Sequence, residues 1–346
     1  MHLTARTGQL EVLEELLKTD VDVDQENNEA QTPLIFAACS KNINIIKLFL
    51  KAGANVNTTD KAGNSPLFLA IESGSIPSIS LLLENGANVN HTNHKAETPL
   101  LLACYQNNNM VIKLLVENGA DLKVSSDNGL SPIWYACNHN QKEIVSLFIQ
   151  HGIDVNYSKP LSNDDDSMNS YLDWVTTAND ISIDNSFSLK DSYEYGGESL
   201  LHVAVKKGHL SLAKLLIENG ANVNIQDESG NTPLHYGAAN GKKDIVKILL
   251  QHGADPAVVN VKEQKAIDYS NIKGFNEITT LLLSSTGTNE NINNVASQPP
   301  NMTPPAATST SFSTKKQELL DLKDLLDTGI LTQAEFDIEK QKILQG

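Results

Sequence analysis

The side chains best able to do chemistry in this chain are nine histidines, three cysteines and an acidic triplet, Asp164-Asp165-Asp166. Nucleophilic catalysis needs a thiol or hydroxyl beside a base, and metal binding needs three or four ligands at close spacing. The sequence contains no G-x-S-x-G, H-E-x-x-H, G-x-x-x-x-G-K-[ST] or G-x-G-x-x-G. His91 and His94 form one local pair, but two imidazoles without further ligands make no metal centre. Cys39, Cys104 and Cys137 contain no C-x-x-C pair, and their odd count and spacing point to a reducing compartment rather than a disulfide framework. The acidic triplet reads as a solvated loop. The expectation is a non-enzyme, with no catalytic residue, no metal and no cofactor.

These residues sit in a chain with a fixed rhythm. Pro33, Pro66, Pro99 and Pro132 are separated by 33 residues each (66−33, 99−66, 132−99), and Gly53, Gly86, Gly119 and Gly152 keep the same interval. Such self-similarity specifies a solenoid, whose units bury their apolar faces only by stacking on neighbours. Within a unit, Thr or Ser before Pro starts a helix, because the hydroxyl can cap and proline's missing N–H is not needed there. Small residues such as Ala37-Ala38 let neighbouring helices approach, and Cys104 and Cys137 fall at the second small position as core thiols. A second apolar helix follows, for example Ile45-Ile46 with Leu48-Phe49-Leu50, and Gly53 ends it with positive φ. The polar stretch Thr58-Thr59-Asp60-Lys61-Ala62-Gly63-Asn64 then projects as a finger.

At Thr232-Pro233-Leu234-His235 with Gly253-Ala254-Asp255, and at Leu200-Leu201-His202-Val203-Ala204 with Gly220-Ala221-Asn222-Val223-Asn224, the chain resembles the ankyrin repeat family, over about residues 1–283. The resemblance implies an all-α ankyrin-repeat solenoid of helix-turn-helix units with β-hairpin fingers. It implies a protein-binding scaffold with a concave face, and a structural role between repeats for His202 and His235, with His209 opening a second helix. Partner-binding positions carry over as the pair after the small residues on each first helix: Cys39 with Ser40, Glu72 with Ser73, Tyr105 with Gln106, Asn138 with His139, Lys206 with Lys207, and Ala239 with Asn240. The finger positions are Lys61, Asn64, His94, Lys95, Glu97, Asp127, Leu130, Glu228 and Asn231. Tyr105 stands out, since a tyrosine on a polar wall is a typical anchor. Leu130 is either a second anchor or packs internally. Lys206-Lys207 is the one basic pair on the expected groove, suited to an acidic segment or simply solvated. Asn57, Asn90, Asn156 and Asn224 resemble asparagines hydroxylated in some ankyrin proteins, and a structural role at the finger base also accounts for them.

In order, residues 1–156 hold repeats, the first beginning inside its first helix at Met1-His2-Leu3 without a Thr-Pro turn, either as a polar cap or because the start is missing. The rhythm breaks once: the proline slot after Pro132 is Leu200, and 200−132 is 68, or 33 plus 35. Residues 157–196 are therefore an insertion or a decayed repeat, with Tyr171, Trp174, Val175 and Ala178 spaced like one helix face. The insertion is preferred because the segment lacks both the Thr-Pro-Leu phrase and a Gly-Ala turn. Repeats resume over 197–283 and end in a polar cap. Residues 284–314, rich in Ser, Thr, Asn and Pro, cannot bury enough apolar surface to fold and read as a linker.

Residues 315–346 carry two apolar stripes, Leu319, Leu322, Leu325 and Leu326, then Phe336, Ile343 and Leu344, around Asp327-Thr328-Gly329. This predicts a small αα-hairpin, and the phrase from Leu325 to Phe336 resembles the short C-terminal domain (SHOCT) family. At about 30 residues such a hairpin is marginal alone, so Leu322, Leu325, Leu326, Phe336 and Ile343 are expected to mediate homo-oligomerisation or recruitment.

With 26 Lys and Arg against 42 Asp and Glu, the net charge of −16 repels a phosphate backbone, and no basic run offsets it. No stretch approaches a membrane span and no signal segment opens the chain. The reading is a cytoplasmic scaffold or adaptor whose partner is a protein and not nucleic acid. Nuclear residence or secretion as a microbial effector remains open, as does an enzyme with its site in 157–196.

Overall fold

A computed structural model describes residues 1–160 and 196–286. These residues form sixteen helices in antiparallel pairs: α1 (His2–Thr7) and α2 (Leu10–Leu16), α3 (Pro33–Ser40) and α4 (Ile43–Lys51), α5 (Pro66–Ser73) and α6 (Ile76–Glu84), α7 (Pro99–Tyr105) and α8 (Asn109–Glu117). The pairs continue with α9 (Pro132–Asn138) and α10 (Lys142–Gln150), α11 (Leu200–Lys206) and α12 (Leu210–Glu218), α13 (Pro233–Ala239) and α14 (Lys243–Gln251), α15 (Ala266–Ile272) and α16 (Asn276–Thr286). First helices pack on first helices in the series α1, α3, α5 through α15, and second helices on second helices in the series α2, α4, α6 through α16. The expected solenoid is present.

Local chemistry sets each boundary. Pro33, Pro66, Pro99, Pro132 and Pro233 occupy first-turn positions, where the missing N–H costs nothing. Ser65, Thr98 and Ser199 accept from the N–H three residues on, each at 3.3 Å, and so cap their helices. Thr32 instead bonds Thr58 Oγ1 of the next repeat at 3.0 Å, joining two layers rather than capping one.

The core is a column of small residues between first helices: Ala37, Ala70, Ala103, Ala136 and Ala204 are fully buried. Gly237 continues the column, and a methyl there would stand 2.9 Å from Val246 Cγ2, so that layer tolerates nothing larger. Second helices add Ile45, Ile46 and Phe49, then Val111, Ile112 and Leu115, all with no exposed surface.

The fingers differ from the expected β-hairpins. Among the described residues there are only isolated bridges, Ser158 with Ser199 and Val259 with Lys265, and no strand. Side chains close the turns instead. Asp60 Oδ1 accepts from the backbone of Ala62 and Asn64 at 2.9 and 2.8 Å, and Asn27, Asn93, Asp227 and Asn260 repeat this arrangement. One backbone bond then joins neighbouring tips, Lys61 N to Glu29 O, His94 N to Ala62 O and Val261 N to Ser229 O. A single link per finger is too little pairing to make a ladder.

Backbone hydrogen bonds also mark the break in rhythm. In the finger from 60 to 64, Asp60 N donates to Asn64 O and Gly63 N to Asp60 O; across the break, Lys159 N donates to Glu198 O and Gly197 N to Lys159 O. Gly63 and Gly197 share positive φ, 79° and 72°. Gly196 O takes the tip-to-tip bond from Glu228 N, as Ala62 O does from His94 N. The asparagine ladder also crosses the break: Asn156 Oδ1 accepts from Asn222 N at 2.8 Å, as Asn57 accepts from Asn88 and Asn90 from Asp121. α9 packs directly on α11, and α10 on α12. Residues Tyr171, Trp174, Val175 and Ala178 lie outside the described residues.

Joining Pro160 to Gly196 restores the length of an ordinary finger. That deletion is expected to leave a single cooperative unfolding transition, with a midpoint within several degrees of the full chain, because shortening a surface loop this much changes closure entropy by only about 2 kcal/mol. Broad, non-cooperative melting followed by circular dichroism would show that 161–195 is a stacked layer instead.

Candidate partner-binding groove

The first helices and finger tips form one wall, and its side chains divide into free and committed groups. Glu72, Tyr105, Gln106, His139, His94, Lys95 and Asp127 are exposed, while Asn138, Lys207, Glu97 and Leu130 are half-buried. Tyr105 is 69 % exposed and meets Tyr135 edge to face, with ring centroids 6.3 Å apart. This is the aromatic feature that the sequence singled out. Leu130 packs against the core and its N–H donates to Ser126 Oγ at 3.1 Å, which gives it an internal role.

Three expected contact residues are committed elsewhere. Lys206 is 4 % exposed and its ammonium pairs with the Glu198 carboxylate at 2.6 Å, so it does not offer the basic pair read from the sequence. Asn231 is 2 % exposed; it donates to Asp227 Oδ2 and accepts from Asn260 Nδ2, tying two fingers together. Ala239 is also buried. The sequence does not announce the first of these: Glu198 lies eight residues before Lys206, outside the i, i+3 and i, i+4 spacings that pair charges along a helix.

Around Lys206 runs a buried polar network. Tyr236 OH donates to Asp227 Oδ2 at 2.7 Å and approaches Glu198 Oε1 at 3.3 Å, while the Lys206 ammonium lies 5.5 Å from the Tyr236 ring centroid. Burial raises the Glu198 carboxyl above its ordinary range, opposed by the charge and hydrogen bond of Lys206. Burial raises Asp227 too, opposed by the Tyr236 and Asn231 hydrogen bonds.

Several histidines join neighbouring repeats. His202 Nδ1 accepts from Ser199 N at 3.0 Å, and its Nε2 reaches Asn231 O at 3.0 Å. His235 repeats this with Thr232 N and Gln264 O. His2 makes the corresponding bond to Gln31 O at 2.8 Å, a role recoverable from the sequence because 35−33 is 2. Burial lowers the pKa of His202 to about 3, with the charge of Lys206 adding to the effect. His91 bonds Gly63 O at 2.7 Å, and among the described residues no group of three or more His, Cys, Asp or Glu could hold a metal. Burial raises the Cys104 and Cys137 thiols, and Cys39 is raised by burial and then by Glu72 and Asp60. None is activated as a nucleophile.

The asparagines closing the repeats are structural. Asn57 Nδ2 donates to Gly86 O, Asn90 to Gly119 O and Asn224 to Gly253 O, each near 3.1 Å, so each amide joins two layers. The second-helix face holds a cleft of about 470 Å³ lined by Lys113, Glu117, Lys142, Glu143, His151 and Leu215, carrying both signs of charge.

A family model described as ankyrin repeats (3 copies) matches residues 1–93, 86–159, 177–260 and 201–295. The chain belongs to the ankyrin repeat family. Among solved structures it is similar to the ankyrin repeat domain of Bcl-3, described as a unique member of the IkappaB protein family. That likeness has a TM-score of 0.56 at 23 % identity and covers 74 % of this chain and 100 % of that one. It speaks to the fold. No curated protein sequence matches the chain. Among the described residues no helix is long and apolar enough to cross a membrane. Residues Leu322, Leu325, Leu326, Phe336 and Ile343 lie outside the described residues.

Holding His202 neutral has a signed consequence. Its folded pKa lies below the unfolded 6.5, so the unfolded chain takes up the proton first and stability falls as pH drops from 6.5 toward 3. His202→Phe, which installs the residue found at the same slot as Phe68, is expected to cost about 1–3 kcal/mol at pH 7.5 by leaving Ser199 N and Asn231 O unpaired. On acidification the gap to wild type should close by up to about 1.4 kcal/mol per pH unit below 6.5. Urea unfolding at pH 7.5 and 5.5 reads this, and a gap that does not move rules it out.

Proposed function

We propose that this protein is a non-catalytic interaction scaffold that holds a partner protein against the first-helix wall and finger tips of its ankyrin array. The observation that carries this reading is Tyr105, 69 % exposed on a packed helix and braced edge to face by Tyr135. Ordered, exposed tyrosines on rigid supports are frequent hot spots, because their area is gained at little conformational cost. Glu72, Gln106, Asn138, His139 and Lys207 extend the contact along the helices. His94, Lys95, Glu97 and Asp127 extend it along the fingers.

Residues 1–156 and 197–283 are in this reading the binding body, with 157–196 a finger-tip insertion rather than a repeat. Residues 284–314 are a tether, and 315–346 a SHOCT-like hairpin that oligomerises or recruits through Leu322, Leu325, Leu326, Phe336 and Ile343. Two bodies joined this way gain avidity from effective concentration. The acidic charge supports a protein partner over nucleic acid, and the lack of a disulfide framework supports a cytoplasmic setting.

Two measurements test these parts separately. Peptides selected on the full chain from a random display library should lose about thirtyfold or more in affinity on Tyr105→Ala, the penalty of a central hot spot. Binders indifferent to Tyr105, Glu72 and Asn138 would sink the groove reading. Light scattering should give a multimeric mass for the full chain and a monomeric one for a chain ending at Asn289; two monomers would dismiss self-association through the hairpin.

A further inference from the structure

Glu198, Lys206 and Tyr236 occupy three fixed positions of the repeat frame. Glu198 directly precedes the capping Ser199, Lys206 lies six residues after Leu200 in the proline slot, and Tyr236 lies three residues after Pro233 of the following repeat. Their geometry places a cation between a carboxylate and an aromatic ring: Lys206 Nζ is 2.6 Å from Glu198 Oε1 and 5.5 Å from the Tyr236 centroid. All three are at most 4 % exposed.

The same positions upstream are Glu97, before Thr98, Tyr105, six after Pro99, and Tyr135, three after Pro132. Only these two layers combine a finger-end carboxylate with a tyrosine on the next first helix. The others pair Gln31 with Leu69, Asn64 with Leu102, Leu130 with Val203 and Asn231 with Tyr269. The upstream copy thus keeps the acid and the ring but has Tyr105 where the downstream copy has its ammonium.

Nothing within the described residues supplies the missing cation. The Glu97 carboxylate accepts from Asn93 Nδ2 at 2.9 Å and forms no ion pair. The finger's own basic side chains, His94 and Lys95, are exposed and pair with no carboxylate. At the finger of the Tyr135 repeat, Ser126 stands where Asp227 takes the Tyr236 hydroxyl, and the Tyr135 hydroxyl makes no hydrogen bond among the described residues. Farther along the wall, the carboxylates of Glu72 and Asp60 lie close enough to Cys39 to add to the effect of burial on its thiol.

We propose that Glu97, Tyr105 and Tyr135 form a receptor for one arginine side chain on an extended segment of a partner protein, seated where Lys206 seats its ammonium in the downstream copy. Arginine suits the site better than lysine because a planar guanidinium can stack on the tyrosine faces while donating to the carboxylate. This assignment rests on the scaffold reading and gives it a chemical class of partner.

The test is an NMR titration of the full chain with the peptide acetyl-Gly-Ser-Arg-Ser-Gly-amide, against the same peptide carrying neutral citrulline. Saturable shifts at the Tyr105 and Tyr135 ring resonances are expected for the arginine peptide, with binding about tenfold or more weaker for citrulline, as for loss of a charge-assisted contact. Glu97→Gln should weaken the arginine peptide by a similar factor. Tyr105→Lys rebuilds the downstream arrangement and should exclude the peptide without lowering the unfolding midpoint, which separates a filled site from a broken fold. Equal affinity for the two peptides, or arginine binding unchanged in Glu97→Gln, overturns the proposal. Library binders that need Glu72 and Asn138 but not Glu97 would overturn it while leaving the scaffold reading intact. Arginine-peptide binding at Glu97 with no library binder on the groove would do the reverse.

Discussion

Everything in this molecule depends on how closely one first helix can approach the next. The column Ala37, Ala70, Ala103, Ala136, Ala204 and Gly237 sets that distance, and it does so with residues too small to bury much area themselves. Close approach is what brings Leu67, Ile71 and their counterparts out of water, since no helix pair here could bury both faces alone. It also fixes the offset between layers tightly enough for single hydrogen bonds to span them. His202 to Asn231, Asn57 to Gly86 and Asn224 to Gly253 all depend on the same spacing. The polar links are weak singly, at about 1 kcal/mol each. Their job is register, and register aligns the groove positions.

The array divides its wall between stability and recognition. Downstream, Glu198, Lys206, Asp227 and Tyr236 turn toward one another and leave water, so positions that could face a partner are spent on the fold. Upstream, Cys39, Glu72 and Tyr105 hold the equivalent helix positions without that network and stay exposed. The cause is local. Lysine six residues after the proline slot can swing back to a carboxylate at the finger end, whereas tyrosine at the same place cannot. In the two layers whose finger ends in a carboxylate, that one residue type thus decides whether the wall is closed by its own chain or left open.

The period was fully legible in the sequence because proline, glycine and the small pair each carry a backbone or packing requirement that other residues meet poorly. From Pro33 and Gly53 outward, helix starts and stops fell where expected. The fingers were read less well: a polar run ending in Gly63-Asn64 looks like a hairpin, and only coordinates show that Asp60 closes it through its side chain. Exposure of Tyr105 was legible from its place after the small pair. Burial of Lys206 was not, since a charged residue is assigned to solvent unless its partner is already known. His2 stands one period before Ile35, at the slot that His202 and His235 fill, so its bond to the next finger follows from the period alone.

A solenoid also constrains where extra chain can enter. Between stacked helices an added residue would shift the small-residue column and every bond that depends on it. At a finger tip it shifts nothing, provided the finger base still closes. Lys159 and Gly197 close that base with the same pair of backbone bonds that Asp60 and Gly63 make, and Gly196 passes the chain on to Glu228 as Ala62 does to His94. The ladder through Asn156 then reaches Asn222 as the other rungs do, although the separation is 66 residues in place of 31. The geometry that makes the repeats interchangeable thus lets a finger tip take extra chain while the stacking on either side keeps its spacing.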